Sequence, residues 1–154
     1  MRLHRLTHRP FAALDGEGAR RFGGRWNSPG RPVVYAAEHL SLAAMEWLAH
    51  AEPRTLPADL VSLEIDVPWH VARERIDVAR LPDEWRAAAE HPACRAIGDA
   101  WLARAHTALL AVPSVVVAGE TNWLLDPRHA DAAHVRVVRV RPFAFDPRVV
   151  GMVG

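Results

Sequence analysis

Residues 15–32 constrain the fold of this chain more than any other stretch. They are rich in Gly, Arg and Asn, and they show neither the 3.6-residue period of a helix nor the two-residue period of a strand. Loops longer than about 12 to 15 residues without secondary structure of their own are uncommon in compact domains, and are usually functional or disordered. Phe22 and Trp26 lie within this one, which argues for a loop that is packed and ordered. Regular structure must therefore be found on either side of it.

Ahead of the loop, Leu3 and Leu6 among polar neighbours predict a short opening strand. Residues 33–37 read as a buried strand, and Ser41 is placed to cap a helix running through Leu42, Met45, Leu48 and Ala49 toward Pro53. Residues 59–67 alternate Leu60, Ser62, Glu64 and Asp66 with Val61, Leu63, Ile65 and Val67, a strand with one apolar face. Two helices are expected next, over 82–90 and 92–106, the first with Pro82 near N1, where proline is tolerated. Residues 108–112 and 114–118 are apolar, β-branched runs broken by Pro113, and 135–140 reads as a further strand. Strands open and close the chain with helices between them, and no repeat or linker divides it. The expectation is one α+β domain spanning 1–154.

Charge and composition narrow the function. The chain has 154 residues, half of them hydrophobic, so it can bury a core. Its 19 basic and 18 acidic side chains leave a net charge of +1, without the strong field of a protein that lives on nucleic acid or anionic lipid. Every basic residue is Arg, which excludes Schiff-base chemistry on lysine and a P-loop lysine. Cys94 is the only cysteine and reads as a small buried hydrophobe, and the N-terminal MRLHRLTHRP lacks the apolar stretch of a signal peptide, so a cytoplasmic protein is expected. Residues 105–119 are shorter than the roughly 18 apolar residues of a membrane span. The histidines contain no HExxH, and no metal site is expected. Arg136, Arg139 and Arg141 read as a solvated strand edge or a partner-facing patch.

Five residues are candidates for chemistry. Arg25 sits among glycines that let backbone approach a ligand closely, and its fork can grip a phosphate or carboxylate; equally, Gly and Asn are ordinary turn residues. Tyr35 ends an apolar strand, where its ring could stack on a flat heterocycle or its hydroxyl could simply bond backbone. On a helical wheel Glu46 lies about 40° from Leu42, at the margin of the apolar arc. A carboxylate there either takes a cationic partner such as Arg25 or snorkels to water. Ser114 lacks a GxSxG or HGGG context, so it suits ligand positioning better than nucleophilic attack. Asn122 follows in the stretch Asn122-Trp123-Leu124-Leu125-Asp126-Pro127.

Together, Gly16-Glu17-Gly18-Ala19, Gly23-Gly24-Arg25-Trp26-Asn27, Val33-Val34-Tyr35-Ala36, Leu42-Ala43-Ala44-Met45-Glu46, Pro113-Ser114 and the Asn122–Pro127 stretch resemble the RES domain, the toxin half of a bacterial toxin–antitoxin module. Ala36-Ala37-Glu38 departs from the small hydroxyl residues common in the family after the tyrosine. The resemblance implies a fold similar to ADP-ribosyltransferases, with a split, bent sheet and flanking helices, and an activity that breaks the nicotinamide–ribose bond of NAD. It places Arg25, Tyr35, Glu46 and Ser114 at the family's site positions, with Asn122 as an addition. Glu46 would stabilise charge developing on the ribose, Tyr35 would stack on nicotinamide, Arg25 would hold the pyrophosphate or an incoming inorganic phosphate, and Ser114 would orient that anion or the ribose. The implied partner is a helix-turn-helix (Xre-like) antitoxin that covers the NAD cleft, with Arg20, Arg21 and Arg31 available to pair with it; neither nucleic acid nor membrane is expected to bind directly. Transfer of ADP-ribose to a protein and a catalytically silent partner-binding module are the alternatives.

Overall fold

The computed structural model describes residues 1–51, 57–87 and 92–151. Seven strands form one sheet: β1 (Arg2–His8), β2 (Val34–Ala37), β3 (Leu60–Asp66), β4 (Arg73–Arg75), β5 (Leu109–Pro113), β6 (Thr121–Leu125) and β7 (Arg136–Pro142). Their order across the sheet is β4-β5-β6-β2-β1-β3-β7, with only β4–β5 parallel among the pairings. The sheet is divided in the middle. β1 pairs with β3 over its full length, from Arg2↔Asp66 to His8↔Leu60, but meets β2 only at His4↔Ala37. Two half-sheets thus share one residue pair, an α+β arrangement of the split kind expected.

Each half carries its own helix. α2 (Leu40–His50) covers Leu6, Ala37 and Leu60 with Leu42 and Ala43, while α3 (Pro92–Arg104) lays Cys94, Trp101 and Leu102 on Leu110, Val112 and Leu124. On the opposite face of the sheet, Leu3, Val61, Leu63 and Ile65 are all at most 2% exposed, the apolar side of the alternation in 59–67. At Gly98 of α3 a methyl group would overlap the Trp26 carbonyl, so this helix rests directly on the backbone of the Arg25 loop.

Several elements differ from expectation, each for a local reason. The loop at 15–32 contains a helix, α1 (Glu17–Phe22), whose six residues are too few to show a period. Glycines bound it: Gly16 (φ 69°) and Gly23 (φ 70°) hold backbone conformations that side chains disfavour, and a Cβ on Gly16 would stand 2.5 Å from the Val33 nitrogen. Ser41 is not the cap of α2, which starts one residue earlier behind His39, and the helix ends at His50, so the region of Pro53 falls outside the described residues. The helix expected over 82–90 is absent from its described part, where i→i+3 bonds from Trp85 N–H to Pro82 O and from Ala87 N–H to Glu84 O make turns; 88–90 lie outside the described residues. Residues 114–118 do not continue as strand because the Ser114 hydroxyl accepts the Val117 N–H at 2.9 Å and folds the run into a turn. The strand that follows instead is β6, in a stretch whose sequence carried no alternation. β7 lies at the sheet edge with Arg136, Arg139 and Arg141 exposed; Arg139 pairs with Glu64 of β3, which also pairs with Arg2 of β1. A short α4 (Pro147–Gly151) completes the described chain.

Candidate active site

Where β1 and β2 part company, the sheet leaves a cleft of about 680 Å³, within the roughly 300–1,000 Å³ of ligand sites. His4 and Arg5 of β1, Tyr35 of β2, Glu46 and Trp47 of α2, and the Arg25 loop all line it. Ser114 is the one predicted residue that does not, although it touches one that does.

The loop is held from within by Asn27. This side chain is 0% exposed; its Nδ2 donates to the carbonyls of Ala19, Ser28 and Arg31 at 2.9, 3.2 and 3.1 Å. Its Oδ1 accepts the Tyr35 hydroxyl at 2.7 Å, and that hydroxyl in turn accepts the Trp26 N–H at 3.2 Å. Gly24 must be glycine here, since a Cβ would lie 2.6 Å from the Tyr35 oxygen. Burial pushes the Tyr35 phenol well above its ordinary pKa, so it works as a neutral donor. The Tyr35 hydroxyl is thus spent on the loop, between the Trp26 backbone and the Asn27 side chain, while the residue also lines the cleft.

From outside, two elements of the second half clamp the same loop. Asp99 on α3 accepts the Ser28 N–H at 2.9 Å and the Ser28 hydroxyl at 2.5 Å, and lies 3.5 Å from Arg31. Arg25 donates through an NH₂ group to the Trp85 carbonyl at 2.6 Å and lies against the Cys94 sulfur, whose thiol burial pushes up while Arg25 opposes the shift. Cys94 itself is fully buried, as expected.

Glu46 is partly buried and fixed by one oxygen. The Ser114 hydroxyl donates to Oε1 at 2.7 Å and Asn122 Nδ2 donates to the same oxygen at 2.5 Å. No described residue hydrogen-bonds Oε2. Two neutral donors thus orient the carboxylate without pairing it to a cation. Its partners are thus a hydroxyl and an amide, where the sequence suggested the Arg25 cation. Ser114, expected to position a ligand, is 0% exposed, and its hydroxyl is engaged by Glu46 and by the Val117 N–H.

Reading the sequence missed four residues of the site: Arg5, Asn27, Trp85 and Asp99. Arg5 lines the cleft with no hydrogen bond or ion pair among the described residues; burial lowers its pKa and the Asp15 charge opposes this. A signal for it was present, because Arg5 shares a strand face with Leu3, which is 2% exposed. The arginines expected to await a partner are already engaged: Arg20 and Arg21 bond Glu17 at 2.7 and 2.9 Å, and Arg31 faces Asp99. Such exposed pairs are weak and exchangeable.

The model of the RES domain family matches residues 2–146. The chain belongs to the RES domain family. Its curated relatives include toxins of about its own length. It is 36% identical to a protein named Toxin Res from Photorhabdus laumondii, over 97% of each chain. It is 39% identical to the Prs ADP-ribosylating toxin of Sphingobium sp., over 89% of this chain and 86% of that one. Identity to the NAD(+) phosphorylase MbcT of Mycobacterium tuberculosis is 31%, over 63% of this chain and 59% of the relative. Among solved structures, the crystal structure of the M. tuberculosis MbcT–MbcA toxin–antitoxin complex superposes with a TM-score of 0.75 at 23% identity, covering 99% of this chain and 87% of that one. The RES fold is therefore this chain's fold. Among the described residues no helix is long and apolar enough to cross a membrane.

Proposed function

We propose that this RES domain is the toxin of a toxin–antitoxin pair and that it consumes NAD by cleaving the bond between nicotinamide and ribose. The observation that carries the reading is the Glu46 carboxylate, tethered through Oε1 by Ser114 and Asn122 and leaving Oε2 to the cleft ligand. In this reaction the C1″–N bond breaks, its electron pair leaves with neutral nicotinamide, and positive charge grows on the ribose. A fixed carboxylate bonded to a ribose hydroxyl stabilises that charge, and preorganised groups of this kind are typically worth about 10²–10³ in rate. Arg25 and Arg5, which both line the cleft, supply cations for the pyrophosphate of NAD and for an incoming phosphate. The Tyr35 ring offers a flat face to nicotinamide.

The attacking oxygen comes from inorganic phosphate, giving ADP-ribose 1″-phosphate, or from water. The phosphate route is favoured by the arginines Arg5, Arg25 and Arg86 in one cleft and by the likeness to an NAD(+) phosphorylase. Transfer to a protein acceptor is the second reading, favoured by the likeness to an ADP-ribosylating toxin. No metal takes part in the proposal. The partner we assign is a helix-turn-helix antitoxin laid over the cleft mouth.

Glu46→Gln tests the core of this reading, since it keeps both hydrogen-bond partners within reach and removes the charge. NAD loss should fall at least about a hundredfold with the circular dichroism spectrum unchanged. A folded variant that consumes NAD at the wild-type rate would make Glu46 a surface-margin residue.

A further inference from the structure

We infer that Arg86 is a second half of the phosphate grip, and that Trp85 sets its distance from Arg25 so that the cleft prefers a diphosphate-linked nucleotide over a monophosphate. The inference rests on the functional reading above and adds a specificity residue to it.

Trp85 serves two guanidinium groups. Its backbone carbonyl accepts Arg25 at 2.6 Å, and its ring lies under the Arg86 guanidinium, 4.6 Å from carbon to ring centroid. Trp85 is itself immobilised, 5% exposed and packed 6.4 Å from the Trp26 ring. The two arginines therefore hang from one rigid residue, on its backbone and on its ring face. Both line the same cleft.

Arg86 is exposed, and no described carboxylate lies within ion-pair distance of it, although Asp83 and Glu84 are near in sequence. Its side-chain contact with the described chain is the stack on Trp85. Stacking on an aromatic face restricts the guanidinium plane without consuming its N–H donors, so little freedom is lost when an anion arrives. A diphosphate carries charge on two linked phosphates, and one guanidinium satisfies only one of them bidentately. Arg25 takes one and Arg86 the other. A monophosphate needs Arg25 alone.

The test is calorimetric titration of the full chain with ADP-ribose and, separately, with adenosine 5′-monophosphate, neither of which contains the bond to be cleaved. Arg86→Ala should weaken ADP-ribose binding about tenfold, as loss of one charge-assisted contact does, and leave the monophosphate affinity within about twofold. Arg80→Ala removes the same charge from an exposed position outside the cleft and should change neither. Undiminished ADP-ribose affinity in Arg86→Ala, or an equal loss for both ligands, overturns the grip while leaving the functional reading in place. A wild-type chain that binds no ADP-ribose overturns both.

Discussion

Asn27 is the residue whose loss should be felt most widely, because one buried side chain ties the Arg25 loop to itself and to Tyr35. Asn27→Ala deletes two N–H donors that serve three carbonyls and one acceptor that holds the Tyr35 hydroxyl. A hydrogen bond contributes about 1 kcal/mol net, and a buried polar group left unsatisfied costs about 1–3 kcal/mol. Three effective bonds at a fully buried site thus place the loss at about 3–5 kcal/mol, a large part of the 5–15 kcal/mol typical of a domain. Urea unfolding should show a midpoint about 2 M lower with an unchanged slope, given an m-value of about 1–3 kcal/mol per M. Asn27→Asp keeps the acceptor and the shape but turns an oxygen toward three carbonyl oxygens, so its loss should be at least as great. In surviving folded protein the KM for NAD should rise, since Arg25 and the Tyr35 ring are both set by this residue. Stability within about 1 kcal/mol of wild type, with KM unchanged, would refute the assignment of Asn27 as the tie of the loop.

Arg25→Lys keeps the charge and loses the planar fork that reaches the Trp85 carbonyl and the Cys94 sulfur, so NAD turnover should fall or KM rise about tenfold; kinetics equal to wild type would reduce Arg25 to a packing residue. The Glu17 carboxyl, hydrogen-bonded by Arg20 and Arg21, is held at about 2 against an ordinary 4.5. Because the folded value is depressed, its contribution to α1 is present above pH 4.5 and lost as pH falls through about 2; carboxyl NMR should show this, and a midpoint near 4.5 would contradict it. For the partner, calorimetry should find NAD bound by the free chain and not by the purified antitoxin complex; equal affinities would place inhibition away from the cleft.

What sequence reasoning reached and what it missed divide by distance along the chain. β1, β3 and the presence of α2 were legible because local periods of two and 3.6 residues mark such elements, as in the Leu63 and Ile65 alternation, although Met45 and Ala49 of the apolar arc expected for α2 are exposed. Glu46 was legible for the same reason, as a carboxylate on the edge of an apolar helical face. α1 was hidden by its brevity. The turn after Pro113 was hidden because a β-branched run looks like strand until the Ser114 hydroxyl captures Val117. The clamps on the Arg25 loop were out of reach altogether: Trp85 is 60 residues from Arg25, and Asp99 is 71 from Ser28. No local pattern encodes such pairings, and they appear only once α3 is laid over the loop at Gly98. Arg5 was missed although its signal was local, a cation on the same strand face as buried Leu3.

Incubating the purified chain with NAD, with and without inorganic phosphate, and identifying the products by mass spectrometry tests the central claim most directly. Free nicotinamide is expected in both cases and ADP-ribose 1″-phosphate when phosphate is present, all of it reduced at least about a hundredfold by Glu46→Gln. NAD left intact by the folded chain under both conditions would contradict it.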